Sequence, residues 1–290
     1  MTKTDAPSAP PLVARRAAGV LLAALAAAAV VGVWWFFVTT PTGQRIDEIA
    51  YLGSRIGRSR LDEGAQSVLD VVSVPFLALT ILVAGAVALL RRRVMVAVAV
   101  AAVVGGANVT TQLLKYSIFD RPQLGISEAT MNSLPSGHTT VAAAVAGAAL
   151  LATPPRWRWL ATLVGLAYAG GTGLSTMIGG WHRASDVVAA LLVVSAWVFL
   201  ALAVVGPGTD DSGRAAPAWS RRADALTRTL LAVVGLAGAL AALVAMVVAS
   251  QVGGDSRAEQ LLAYGGASAG VVAVACLSGY AALALGAPRR

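Results

Sequence analysis

The chain contains only two histidines, His138 and His182, and each stands in a polar cluster where an apolar run begins. The second lies in Trp181-His-Arg-Ala-Ser-Asp186, which sets a carboxylate four residues after the imidazole, on the same face of a helix. A carboxylate so placed orients the ring and fixes its tautomer, leaving the other ring nitrogen free as a nucleophile. A capping aspartate beside an interfacial histidine is the plainer alternative. The first histidine closes Pro135-Ser-Gly-His138 at the start of an apolar run, so Ser136, Gly137 and several backbone N–H groups share a helix N-terminus. Such an end carries unpaired donors and about half a positive charge, enough to hold a phosphate oxygen without a metal. Gly137 lets a ligand approach the backbone, although an ordinary serine cap satisfies the same four residues. Lys115 and Arg121 precede this turn in Lys115-Tyr-Ser-Ile-Phe-Asp-Arg-Pro122. Cations beside an apolar run are costly unless paired or facing an aqueous site, and a bound phosphate is one natural partner. Snorkelling to lipid headgroups is the other.

The elements that must hold these groups are membrane helices. Of 290 residues, 57% are hydrophobic and 12% charged, and the mean hydropathy is +0.74, outside the range of a soluble globular domain. Apolar runs near 17–39, 67–90, 94–114, 139–153, 160–178, 185–205, 228–250 and 261–286 give eight candidate spans of an all-α, polytopic bundle. Most are long enough to cross about 30 Å of hydrocarbon, where helices satisfy their own backbone groups. The fourth is short, so its helix is expected to begin near Pro135 and take in part of the Pro-Ser-Gly-His turn.

The first run follows Lys3, Arg15 and Arg16 but reads as an uncleaved anchor, being about 23 residues long with no small-residue cleavage site after it. Trp34, Trp35, Phe36 and Phe37 near its far end fit an aromatic belt. The net charge of +8 is carried in the segments between spans rather than on one folded face, which argues for topology and against a nucleic-acid partner. With the N-terminus cytoplasmic, fourteen of the 22 basic residues fall on the cytoplasmic side, so both termini are expected inside and both histidines at the outer face. The outer segment 41–66 carries Ile46, Ile49, Leu52 and Ile56 at near-helical spacing, as an interfacial amphipathic helix or a solvated loop would. Residues 207–227 read as a cytoplasmic linker between a six-span unit (1–206) and two further spans (228–290), whose Gly266-x-x-x-Gly270 suits close helix packing. Cys276, the single cysteine, lies in the last run and excludes an intrachain disulfide.

In order, Lys115…Arg121-Pro122, Pro135-Ser-Gly-His138 and Ser175…His182-x-x-x-Asp186 resemble the three-part signature of the type-2 phosphatidic acid phosphatase family. The resemblance covers roughly 17–205 and implies a six-helix core; the last two spans lie outside it. It implies a phosphohistidine mechanism without metal or other cofactor. His182 would be the nucleophile, Asp186 its orienting carboxylate and His138 the acid for the leaving alkoxide. Lys115, Arg121, Ser136, Gly137 and Ser175 would form the phosphate site. Two departures stand out. Five residues separate Lys115 from Arg121 where the family usually has six, and Ser175 is followed by Thr176 where the family usually has arginine. Arg183 either supplies the missing charge or faces lipid headgroups.

The resemblance therefore implies hydrolysis of a lipid phosphate, such as a polyprenyl diphosphate, phosphatidic acid or phosphatidylglycerol phosphate, at the outer membrane face. Transfer of the phosphoryl group to another acceptor uses the same site. A binder or transporter of lipid phosphates is the alternative from a different functional class. High Ala, Val and Arg content hints at a GC-rich bacterial source. Neither a particular lipid nor an oligomeric state follows from the sequence.

Overall fold

The computed structural model describes residues 12–56, 58, 93–127, 129–205 and 217–287. Its helices are α1 (Leu12–Thr39), α2 (Pro41–Arg55), α3 (Val94–Leu113), α4 (Gly137–Ala152), α5 (Arg158–Ile178), α6 (Ala184–Val205), α7 (Ala218–Gln251) and α8 (Arg257–Gly286). No strand occurs among the described residues. Among the described residues six helical stretches are long and apolar enough to cross a membrane, and α4 is a shorter apolar helix. Seven of the eight expected spans thus fall on helices; the expected span at 67–90 lies outside the described residues. The chain is a multi-pass membrane protein. Leu21, Leu25, Leu226, Leu236 and Leu240 are more than half exposed along α1 and α7, as expected of faces meant for lipid tails.

Four of these helices start for a local reason. Thr40 caps α2 by accepting the Gly43 N–H at 3.0 Å, and Pro41 opens the first turn. Ser136 caps α4, which begins at Gly137, two residues from where the sequence places it. A reciprocal pair between Ser256 and Glu259 opens α8. The helix α7 begins at Ala218, ten residues inside the expected linker: the run from Ala218 to Arg228 is rich in Ala, Leu and Arg, strong helix formers that extend a span into water.

The first described span, α1, packs along α6, where Gly19 lets the helices approach so closely that a Cβ would sit 2.8 Å from Ala203 Cβ. Between α3 and α4, Thr111 and Thr140 share a hydrogen bond of 2.9 Å, and Trp197 of α6 donates to Thr110 at 3.2 Å. These bonds hold α3, α4 and α6 around the buried Val103, Val104, Ala144 and Val187. The pair α7–α8 packs as a hairpin and closes on the core through α8. At the end away from both histidines, buried Arg158 donates to the Gly286 carbonyl at 2.8 Å, tying α5 to the end of α8.

The expected interfacial helix is corrected in position. Helix α2 does form, but Ile46, Ile49 and Ala50 bury against Ala249 of α7 and Ala263 of α8 instead of a lipid surface. Its polar residues Gln44 and Asp47 are buried as well, at 1% and 3% exposure. A helix with apolar and polar groups buried together needs a partner that satisfies both, which a bilayer surface does not offer. Trp34 likewise does more than line a belt: its ring stacks on Phe119 at 4.6 Å and its N–H donates to the Asp120 carbonyl at 3.0 Å.

Candidate active site

All three motif segments meet at one end of the bundle, where α3 and α5 finish and α4 and α6 begin. His182 and Asp186 flank the start of α6. His182 Nδ1 and Asp186 Oδ2 are 2.9 Å apart, with side chains 8% and 3% exposed. The same carboxylate oxygen accepts the Arg183 N–H at 3.1 Å. The expected single helix face is corrected: α6 begins only at Ala184, so His182 lies in the loop before it, and Asp186 in the first turn reaches back to the imidazole and to the Arg183 N–H. With Nδ1–H held by the carboxylate, Nε2 carries the lone pair.

The loop before His182 is fixed by α5. Trp181 N–H and His182 N–H both donate to the Thr176 carbonyl, at 3.0 and 3.2 Å, and Gly179 N–H donates to the Ser175 carbonyl at 2.9 Å. Position 176, where the family's arginine is missing, therefore supports the histidine through its backbone, and its hydroxyl turns inward to the Gly173 carbonyl at 2.7 Å. Gly180 makes the turn at φ +73°, a conformation that favours glycine. Ser175 is buried in the last turn of α5.

The second histidine, His138, sits in the first turn of α4, its ring 5.4 Å from that of Trp181 and within electrostatic range of His182 and Lys115. The Ser136 N–H donates to the Asp186 carbonyl at 2.9 Å, which fastens α4 to α6. The Ser136 hydroxyl, expected at the phosphate, is fully buried and accepts the Thr139 N–H at 3.4 Å and the Thr139 hydroxyl at 3.0 Å. It acts as a cap. Gly137 faces open space: a Cβ built there meets nothing within 4 Å.

Lys115 lies in a π-helical turn, Leu114–Ile118, that ends α3, with Phe119 N–H returning to the Leu114 carbonyl at 2.9 Å. Such wide turns re-aim side chains and recur at functional sites. Asn132, which the sequence reading passed over, ties this turn to the Pro-Ser-Gly-His segment: its amide donates to the Lys115 carbonyl at 3.3 Å and the Leu134 carbonyl at 2.8 Å, and accepts from Leu134 N–H at 3.2 Å. A lone asparagine in a loop gives no periodic signal by which to find it. Arg121 donates to the Ser127 hydroxyl at 2.9 Å. Burial, then the nearby charge of Arg183, lower its pKa, while Asp47, Asp186 and Glu48 oppose that shift.

Arg183 is held from an unexpected side. Its guanidinium donates to Glu48 of α2 at 2.6 Å and lies 4.8 Å above the Tyr51 ring. Burial disfavours its charge, but the Glu48 bond and the surrounding carboxylates outweigh this and raise its pKa. Its Nε is buried with no partner among the described residues.

A helical membrane bundle that gathers a carboxylate-held imidazole, a second imidazole, cations and a glycine-opened helix N-terminus is built to handle an anionic group at the membrane boundary. Comparison with protein-family profiles matches residues 96–209 to the PAP2 superfamily. That segment, which carries all three motifs, is similar to the superfamily. No curated protein and no solved structure matches the chain. Helices α1, α2, α7 and α8 lie outside the matched segment.

Proposed function

We propose that the protein hydrolyses a lipid phosphate monoester or diphosphate through a phosphohistidine on His182, at the outer face of the membrane. The observation that carries this reading is the buried contact of 2.9 Å between His182 Nδ1 and Asp186, which leaves Nε2 as the free nucleophile. In the first step Nε2 attacks phosphorus, the bond to the lipid oxygen breaks, and His138 gives its proton to the leaving oxygen. In the second, water attacks phosphorus as His138 takes its proton, the P–N bond breaks, inorganic phosphate leaves and His182 is restored. Lys115, Arg121, Arg183 and the N–H groups at Gly137 offset charge on the phosphoryl oxygens. Lipid-facing helices around the site suit a substrate such as a polyprenyl diphosphate, phosphatidic acid or phosphatidylglycerol phosphate, whose tails stay in the bilayer.

The test is inorganic phosphate release by protein purified in detergent, with EDTA present, from a panel of these lipids. Release from at least one of them, lost in His182→Ala, is the expected result. A wild-type protein that binds the lipids yet releases no phosphate from any of them would sink hydrolysis and leave transfer or transport.

A further inference from the structure

We propose that α2 clamps the nucleophile loop, with Asp47 as a positioning residue acting on His182 through Ser185, and Glu48 and Tyr51 fixing the intervening Arg183. This inference rests on the reading of His182 as nucleophile and adds an element that the three motifs do not contain.

Every attachment runs between α2 and the stretch from Gly180 to Ser185. Asp47 Oδ2 accepts the Ser185 hydroxyl at 2.5 Å and Oδ1 accepts the Ser185 N–H at 3.4 Å. Glu48 takes the Arg183 guanidinium at 2.6 Å. Tyr51 lies beneath that guanidinium and donates its hydroxyl to the Gly180 carbonyl at 3.2 Å. Three residues of this stretch, Gly180, Arg183 and Ser185, are therefore held from outside by α2, while Thr176 and Asp186 hold it from within. Ser185 directly precedes Asp186, so a shift of Ser185 moves the carboxylate that orients the imidazole.

Asp47 is not an ordinary packing residue. It is 3% exposed and borders a cavity where, apart from Ser185, it meets apolar groups such as Phe37, Met246, Ala249 and Ala263. Burial raises its pKa to about 6, with Ser185 and Arg183 pulling down and Asp186 pushing up. A carboxylate kept charged in such surroundings at neutral pH costs stability that alanine or leucine would not. The two-oxygen hold on Ser185 is what it offers in return. Displacements near 1 Å at a reacting group lower rates about 100-fold, so the clamp is expected to act on turnover more than on binding.

Full-length wild type, Asp47→Ala, Asp47→Asn, Ser185→Ala and the Asp47→Ala/Ser185→Ala double variant are compared in detergent. Two readouts are used: phosphate release from a short-chain phosphatidic acid, and amide hydrogen exchange across residues 179–186. Asp47→Ala is expected to lower kcat 10- to 100-fold with KM changed less than about threefold. Asp47→Asn, which keeps an acceptor for the Ser185 N–H, should lose less, and the double variant no more than the worse single one. Amide exchange in 179–186 should quicken in Asp47→Ala while that of α3 stays unchanged. Unchanged exchange overturns the clamp whatever the enzyme does. Unchanged kcat, a loss confined to KM, or additive losses in the double variant overturn its role in turnover. A wild type silent on phosphatidic acid and on every other lipid of the panel above, with faster exchange in Asp47→Ala, upholds the clamp and rejects the phosphatase reading instead.

Discussion

At the scale of single residues, the two histidines are told apart by their partners. His182 is buried with a carboxylate on Nδ1, whereas His138 is half-buried, stands beside Trp181 and has no carboxylate partner among the described residues. That difference fits one role as nucleophile and another as proton donor to the departing oxygen. The need for an acid depends on the leaving group. His138→Ala should therefore slow release from an alkyl lipid phosphate by about 100-fold or more, within the usual worth of general acid catalysis. Release from p-nitrophenyl phosphate, whose phenolate leaves without a proton, should fall much less. The ratio of the two rates in wild type and variant is the measurement, and an equal loss on both substrates would move His138 to phosphate binding.

At the scale of elements, α2 depends on α8 for its place. Gly53 of α2 touches α8 so closely that a Cβ there would collide with the Gln260 carbonyl oxygen and lie 2.7 Å from the carbonyl carbon and 2.8 Å from Tyr264 Cβ. Backbone cannot yield as a flexible side chain does. Gly53→Ala should push α2 off α8, costing about 1–3 kcal/mol as overpacking does, and should lower kcat by loosening the loop around His182. Gly32→Ala in α1, where nothing lies within 4 Å, is the control expected to leave both unchanged. Thermal unfolding and turnover of the two variants check this. A Gly53→Ala protein with native stability and turnover would show that α2 does not need this contact. The last two helices thus touch α2, which in turn touches the loop around His182.

At the scale of the whole molecule, the buried charge of Asp47 links stability to pH. An aspartate ordinarily loses its proton near 3.8, but Asp47 in the folded chain holds it up to about 6. Between those values the folded state binds a proton that the unfolded chain releases, so this group's contribution to stability falls as pH rises through the window and is flat above it. The groups facing Asp47 are Ser185, Arg183 and Asp186 from the loop and α6, with apolar Ala249 and Ala263 from α7 and α8. Asp47→Asn removes the titration. It should unfold at a higher temperature than wild type at pH 8, by up to about 3 kcal/mol of stability, with the gap closing as pH falls towards 4. Unfolding curves of both proteins from pH 4 to 8 measure this, and a constant gap would mean that Asp47 does not titrate in that range.

The sequence by itself determined the helices among the described residues and the short motif segments around the two histidines, because those features are local. Apolar runs of span length favour helices by composition alone, and the His182–Asp186 pair lies within four residues of chain, although the loop bonds to Thr176, not a shared helical turn, set its geometry. The helix start at Pro135-Ser-Gly-His138 was legible for the same reason, although only packing showed that the Ser136 hydroxyl is spent on capping Thr139. Contacts across long stretches of chain were not legible. Glu48 reaches Arg183 over 135 residues and Asp47 reaches Ser185 over 138. Neither pair leaves a period, motif or composition signal. Helix α2 reads as a surface amphipathic helix because its apolar stripe is visible in the sequence; what that stripe packs against is not. The docking of α7 and α8 decides it, turning the stripe inward and carrying Asp47, Glu48 and Tyr51 to the loop that holds His182.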